Sequence, residues 1–312
     1  MKVIVTGGAG FIGSHVADAL LGANHEVLVL DDLSTGRRQN VPARASFVQG
    51  DIRNGHVVSK VFEDFAPDVV THQAAQTSVA ISTREPLRDA EINILGSLNI
   101  LNECVKHNVR RIVFASTGGA IYGEVAEGVC ANEQTTPMPL SPYACSKFAV
   151  EKYLTAYARE HGLTSSVLRY ANVYGPRQDP HGEAGVVAIF VQRILSGEPI
   201  QINGREESGD AGCVRDYVYV ADVVRANMFA IEGKLDKSPI NVCTGVATTT
   251  LELAQLMEQA SGVKAVLRHG PRREGDVQRS VLDPGSPPPL GAAVPISEGI
   301  ARTIKWFRER PA

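Results

Sequence analysis

Through the first half of the chain, short continuous apolar runs alternate with stretches whose apolar positions recur at helical spacing. The runs "KVIVTG" (2–7), "EVLVLD" (26–31), "SFVQGD" (46–51), "DVVTHQ" (68–73), "RIVFAST" (111–117) and "SSVLRY" (165–170) lack the in-and-out alternation of a half-exposed strand. They read as strands buried on both faces. Helical patterns lie between them, near 12–22, 56–64, 92–108 and 144–161. This order predicts an α/β fold built on a Rossmann-like, doubly wound parallel sheet.

After residue 170 the texture changes. "GPRQDPHGEAG" (175–185) reads as a polar loop, followed by a helix at 186–196 and a short strand "PIQING". "RDYVYVADVVRANMFAI" reads as a strand then a helix, "PINVCTG" as a strand, and "TLELAQLMEQASG" and "ISEGIARTIKWFRER" as helices. This material is too short for a second independent unit of the same kind. It predicts a smaller, interwoven C-terminal domain: residues 1–170 with about 214–242 make the larger body, and 171–213 with 243–312 the smaller. A ligand is expected in the cleft between them.

Composition narrows the class. The 312 residues are 44% hydrophobic and 21% charged, an ordinary globular balance. The net charge of −3, from 34 acids against 31 bases, argues against a nucleic-acid footprint. Five cysteines, at 104, 130, 145, 213 and 243, show neither CxxC pairing nor metal-ligand spacing, so reduced thiols and no metal are expected. No apolar run approaches the roughly 18 residues of a spanning helix, and "MKVIVTGG" enters a strand pattern at once. A cytoplasmic protein away from membranes is expected.

The loop "TGGAGFIGSH" follows the first strand, with Gly7, Gly10 and Gly13 placed for a tight turn, close approach to a pyrophosphate, and helix–strand packing. Its spacing is GxxGxxG, and such a loop alone also describes plain turn chemistry. About twenty residues on, "VLVLDD" ends the second strand in Asp31, where a carboxylate bonds an adenosine ribose and repels a 2′-phosphate. That combination favours NAD over NADP. The alternatives are that Asp31 caps the turn "LSTG", or that Arg37 and Arg38 hold a 2′-phosphate. "GDIRN" adds Asp51 for the adenine amine and Ile52 for the ring.

In "SPYACSKFAVEKYL" (141–154), a helix stacks Tyr143 and Lys147 on one face. A phenol titrates near about 10, too high for a base at neutral pH. A neighbouring ammonium and a positive nicotinamide ring would both favour the phenolate and lower it. On spacing alone the pair describes a solvated helix face equally well.

Taken together, "TGGAGFIGSH", "DDLSTGRRQN", "GDIRN", "HQAAQTSV", "EINILGSLNIL", "FASTGGAIYGE", "SPYACSKFAVEKYL", "LRYANVYGPRQ", "VRDYVYVADV" and "RREGDV" resemble the extended short-chain dehydrogenase/reductase family, and within it the UDP-glucose/UDP-galactose 4-epimerases. The resemblance implies an NAD-binding larger domain and a nucleotide-sugar-binding smaller one. It makes Tyr143 the general base, Lys147 its partner and a ligand of the nicotinamide ribose, and Thr117 the proton relay, with Ser116 as fallback. For the cofactor it implies contacts from Gly7, Gly10, Phe11, Ile12 and Gly13, then Asp31, Asp32, Asp51 and Ile52. Gln73, Ala74, Ala75, Asn93 and Tyr170 complete that set with Tyr143 and Lys147. For the substrate it implies Thr117, Tyr143, Asn172, Val187, Arg215, Arg273, Asp276 and Ser280, Arg being suited to a diphosphate.

Relatives that dehydrate or decarboxylate nucleotide sugars carry acids just after this Thr; here Gly118 and Gly119 stand there. The implied reaction is an isomerisation, in which a transient 4-keto sugar takes its hydride back from bound NAD on the other face. Ser280 stands where family members differ between a bulky Tyr and a small residue, so UDP-GlcNAc/UDP-GalNAc join UDP-glucose/UDP-galactose as candidate pairs. UDP-glucuronate, with Arg177 meeting its carboxylate, is an alternative; a nonenzymatic NAD-sensing protein is a remote one. A homodimer through helices 92–108 and 144–161 is expected from the family.

Overall fold

The computed structural model describes residues 1–181, 185–235, 238–272, 277–285 and 290–309. In chain order the elements are β1 (Lys2–Thr6), α1 (Phe11–Gly22), β2 (Glu26–Asp31), β3 (Ser46–Gln49), α2 (Gly55–Phe65), β4 (Val69–His72), α3 (Val79–Arg84), α4 (Pro86–Ala90), α5 (Gly96–Lys106), β5 (Arg111–Thr117), α6 (Gly118–Ile121), α7 (Pro142–His161) and β6 (Thr164–Tyr170). There follow β7 (Asn172–Tyr174), α8 (Val186–Leu195), β8 (Ile200–Asn203), β9 (Val214–Tyr219), α9 (Val220–Ile231), β10 (Ile240–Val242), β11 (Ala247–Thr249), α10 (Thr250–Ser261), β12 (Leu267–Gly270), β13 (Arg279–Ser280) and α11 (Ile296–Glu309).

The chain forms two compact units, one of Met1–Thr117, Ser141–Arg169 and Val223–Ile240, the other of Gly118–Leu140, Tyr170–Asp222 and Asn241–Ala312. A seven-stranded sheet in the order β10-β6-β5-β4-β1-β2-β3 underlies the first. Its β3-β2-β1-β4-β5 ladders are parallel, as the unalternated apolar runs require. Ile4, Phe62, Ile100, Phe114 and Leu154 lie at most 1% exposed in the core that α2, α5 and α7 close over this sheet. Each such side chain contributes about 1.5–3 kcal/mol of burial free energy.

Two stretches depart from the boundaries read in the sequence. β9 enters the second unit, where it pairs with β7, β11 and β13. Residues 214–222 therefore leave the larger body; a buried apolar strand reads alike whichever sheet takes it. Segment 118–140 also joins the second unit, where Ala131 bridges Leu282 and the Arg279 guanidinium donates to the carbonyls of Ala126 and Val129 (2.7 Å each).

The helix expected at 92–108 starts differently too. Residues Glu91–Leu95 form a π-helical turn before α5 begins. Such turns widen a helix by one residue and concentrate at functional sites. Here the turn carries Asn93, only 2% exposed.

Candidate active site

β1 has β2 on one side and β4 on the other. At such a reversal of strand order, the carboxyl ends of a parallel sheet leave room for a ligand. Thr6 and His72 are register partners there. Thr6 Oγ1 lies 2.7 Å from His72 Nδ1 and accepts from Ala74 N at 3.2 Å. The turn above them needs glycine at two points. Gly7 has φ +68°, and a Cβ on it would sit 2.6 Å from Ala74 N; a Cβ on Gly13 would sit 2.2 Å from Gly7 O. Gly10 caps α1 in extended backbone, with no side-chain cap and no acid in the first turn. The first amides of α1 thus keep their donors for an anion. Phe11 and Ile12 are partly buried on that turn, with Phe11 edge-on to His15 at 6.0 Å.

At the end of β2, Asp31 accepts from Ala9 N (2.9 Å) and Leu33 N (2.8 Å), which holds its carboxylate beside the glycine turn. Burial pushes this carboxyl up, the amides of Leu33 and Ala9 pull it back, and Asp32 adds to the rise. Asp32 is exposed and folds onto Ser34, accepting from its amide (2.9 Å) and hydroxyl (2.6 Å). Arg38 stacks on Phe47 at 4.5 Å, a use of its guanidinium other than a 2′-phosphate. A glycine turn that two Cβ atoms would fill, a bare helix N-terminus and an oriented carboxylate together fit a dinucleotide without a 2′-phosphate.

Three of the expected cofactor residues also engage groups of the protein itself. Asp51 turns its carboxylate onto Arg53, accepting from its backbone N and Nε at 2.8 Å, and that guanidinium lowers the carboxyl. Ile52 is 5% exposed and packs inward; a Cβ on Gly96 would meet its Cδ1 at 2.7 Å. Asn93 uses its amide inside the protein, accepting from Gln76 N and donating to Gln76 O and Asp89 Oδ1, each at 2.9 Å. It therefore shapes the loop after β4. Gln73 donates to Thr71 Oγ1 and Asn227 Oδ1, both at 2.9 Å. Ala74 and Ala75, partly buried, carry the chain between Gln73 and Gln76.

Ser141 caps α7, accepting from Ala144 N at 3.2 Å, and Pro142 occupies the first turn. Tyr143 follows, its phenol beside the Thr117 side chain at the end of β5. One turn on, Lys147 is 4% exposed; its Nζ donates to Ala115 O at 2.9 Å and stands 4.8 Å over the Phe114 ring. Burial pulls the ammonium down to about 8 against the raising charge of Asp89. The phenol is pushed up to about 12 by burial, the Thr117 hydroxyl opposing and Asp89 adding. Desolvation is thus the largest influence on Tyr143 in the protein alone, where the positive nicotinamide ring that the expectation also invoked does not act. Ser116, the fallback relay, donates its hydroxyl to Glu151 Oε1 at 2.6 Å. Glu151 in turn receives Arg169 Nε at 3.0 Å and Nη2 at 2.6 Å in a buried pair.

In the second unit, a Cβ on Gly119 would stand 2.7 Å from Asn172 Oδ1. Gly118 and Gly119 form the one turn of α6 directly after Thr117. Tyr170 and Val187 are buried, at 6% and 1% exposure. Arg215 lies on β9 with its guanidinium donating to the carbonyls of Val214 and Val277. Ser280 is its register partner on β13 and is buried. Arg273 and Asp276 lie outside the described residues.

Sequence reasoning missed Asp89, Glu151 and His72. Asp89 and His72 are at most 1% exposed and Glu151 is 7% exposed, yet isolated polar letters carry no sign of burial. Among the described residues no helix is long and apolar enough to cross a membrane, and no group of three His, Cys, Asp or Glu could hold a metal ion.

Residues 3–243 match the NAD dependent epimerase/dehydratase family. The Thermus thermophilus UDP-glucose 4-epimerase, solved in complex with NAD, superposes with a TM-score of 0.94 at 49% identity over 99% of each chain. The Thermotoga maritima UDP-glucose 4-epimerase, solved with UDP-glucose, gives 0.91 at 45% identity, again over 99% of each. The UDP-glucose 4-epimerase of Mycolicibacterium smegmatis is 41% identical over 99% of both sequences. With the glycine turn, Asp31 and the Tyr143–Lys147–Thr117 set in place, this chain belongs to the NAD dependent epimerase/dehydratase family.

Proposed function

We propose that this protein is a UDP-glucose 4-epimerase, an isomerase interconverting UDP-glucose and UDP-galactose. The family also holds dehydratases, so the site must decide between outcomes. The observation that carries the reading is the Gly118–Gly119 pair after Thr117, with Asn172 in the space that a side chain at 119 would need. No acid stands there to drive elimination from a 4-keto sugar, so the ketone is left to be reduced again.

Bound NAD supplies a reversible hydride acceptor, held by the amides of the first turn of α1, by Asp31 and by Lys147. The protein's own task is the proton. Thr117 Oγ1 takes up the C4 hydroxyl proton and passes its own to the neighbouring Tyr143 Oη. Burial disfavours the phenolate, so Tyr143 needs a positive charge in the filled site before it accepts readily. Lys147 is held by Ala115 O and Phe114 close to its partner on α7 and contributes part of that charge. On the return, Tyr143 gives the proton back to the C4 oxygen.

For the nucleotide sugar we assign Asn172, Val187, Arg215, Arg273, Asp276 and Ser280, Arg215 meeting the diphosphate. Ser280 is small, which supports turnover of UDP-GlcNAc and UDP-GalNAc as well. We further assign a homodimer packed through α5 and α7 and a cytoplasmic location. Leu95, just before α5, and Tyr153 on α7 are 55% and 41% exposed, and none of the five cysteines is joined in a disulfide. The test is a panel of UDP- and dTDP-sugars assayed for 4-epimers, with the nucleotide released from the protein identified in parallel. UDP-galactose from UDP-glucose supports the reading; a dehydrated product, or epimerisation of dTDP-sugars alone, overturns it.

A further inference from the structure

Asp89 sits on α4, a helix of five residues whose neighbouring Leu87 is 80% exposed. Its own exposure is 0%. Both its oxygens accept: Ser146 Oγ donates to Oδ2 at 2.6 Å, while Asn93 Nδ2 and Gln76 Nε2 donate to Oδ1 at 2.9 Å each. All three donors are neutral. A carboxylate carried into the interior loses several kcal/mol of hydration, which neutral donors return only in part. An apolar side chain would fill the space without that cost, so the acid needs another reason to be there.

Its partner supplies one. Ser146 stands on α7 between Tyr143 and Lys147, directly before the lysine. Lys147 gives its Nζ to a neutral carbonyl, Ala115 O, and Asp89 is the carboxylate whose charge favours its protonated form. The other titratable groups around the pair are neutral or compensated. His72 is held neutral, its pKa lowered to about 3 by burial and by the Lys147 charge. Glu151 is matched by Arg169. On the elements packed against α7, Arg84 is exposed, Arg88 pairs with Glu85 (3.0 Å), Glu91 with Arg53 (3.6 Å) and Glu103 with Lys106 (3.2 Å). On β5, Arg111 donates to Ser166 at 3.2 Å.

We propose that Asp89 is a positioning residue for the Tyr143–Lys147 pair: its buried carboxylate ties α4 to α7 through Ser146 and supplies the negative charge that keeps the buried Lys147 an ammonium. The kinetic part of this inference rests on the function proposed above; the electrostatic part does not. Without the charge, Lys147 releases its proton at lower pH and Tyr143 does the same, so both limbs of the pH–rate curve move toward acid.

The test uses full-length Asp89→Asn, nearly isosteric and still able to bond Ser146, and Asp89→Leu, which replaces the buried charge by an apolar group should the first fail to fold. Lys147 is titrated by NMR of lysine-labelled protein, its signal assigned with Lys147→Arg. The expected result is a Lys147 midpoint lower by about one pH unit in either Asp89 variant. Ser146→Ala, which cuts the tether and keeps the charge, should titrate like wild type. The pH–rate curve of Asp89→Asn should move the same way. An unmoved Lys147 midpoint in the Asp89 variants, or a kcat lowered equally at every pH with the profile in place, would overturn the proposal. If no epimerisation is found, the titration still decides the electrostatic claim.

Discussion

Thr117 at the end of β5 and Tyr143 in the first turn of α7 bring their side chains together. The Thr117 hydroxyl opposes the upward push of burial on the phenol. Removing either group should remove proton transfer and leave binding in place. Tyr143→Phe and Thr117→Ala are expected to lower kcat about a hundredfold or more, with KM little changed. Steady-state kinetics with UDP-glucose check this; equal losses in kcat and affinity would place the two in binding instead.

Gly119→Ala introduces a carbon 2.7 Å from the present position of Asn172 Oδ1. The amide is the free end of a rotatable side chain, so it should swing aside with little effect on stability. What is lost is its orientation. The expected result is a KM for the nucleotide sugar raised about tenfold, the worth of one hydrogen bond to a charged group, at an unchanged unfolding midpoint. A large fall in that midpoint with an unchanged KM would show packing, not substrate contact, at this position.

The Glu151–Arg169 pair, at 7% and 4% side-chain exposure, also receives the Ser116 hydroxyl. Glu151→Ala leaves Arg169 buried without its counter-charge and should cost about 3–5 kcal/mol, read from denaturant unfolding. A change below about 1 kcal/mol, as for an exposed pair, would mean that water reaches the arginine.

His72, bonded to Thr6 and Ser97 (2.7 and 2.9 Å), has its pKa lowered from 6.5 to about 3. Between those values the unfolded chain binds the proton and the folded protein does not, so stability is full above pH 6.5 and falls as pH drops toward 3. Unfolding free energy measured across this window should decline more steeply in wild type than in His72→Gln. Parallel slopes would mean that His72 gains its proton without unfolding.

Much of the first unit was legible because its strands are buried on both faces and its helices carry a single apolar stripe. β1, β2, β4 and β5 fall within a residue or two of their apolar runs. The glycine turn could be read too, since Gly7 and Gly13 answer steric demands that no other residue meets. Pairing could not: β9 has the pattern of a Rossmann strand, and only its partners β7, β11 and β13 place it elsewhere. Nor could the choice between adjacent hydroxyls, where Ser116 turns to Glu151 and Thr117 to Tyr143. Asp89 was hidden for a similar reason. In "EPLRDAEINIL" it is one charge among several, and its burial follows from how α4 and the π turn at 91–95 fold against α7.

The most direct test of the central claim, an oxidation reversed in place, is a proton NMR time course of UDP-glucose with the NAD-loaded protein in D2O. UDP-galactose should appear with hydrogen, not deuterium, at C4, and the same mixture should be reached from UDP-galactose. Deuterium at C4, a dehydrated keto sugar, or unchanged UDP-glucose would contradict the account.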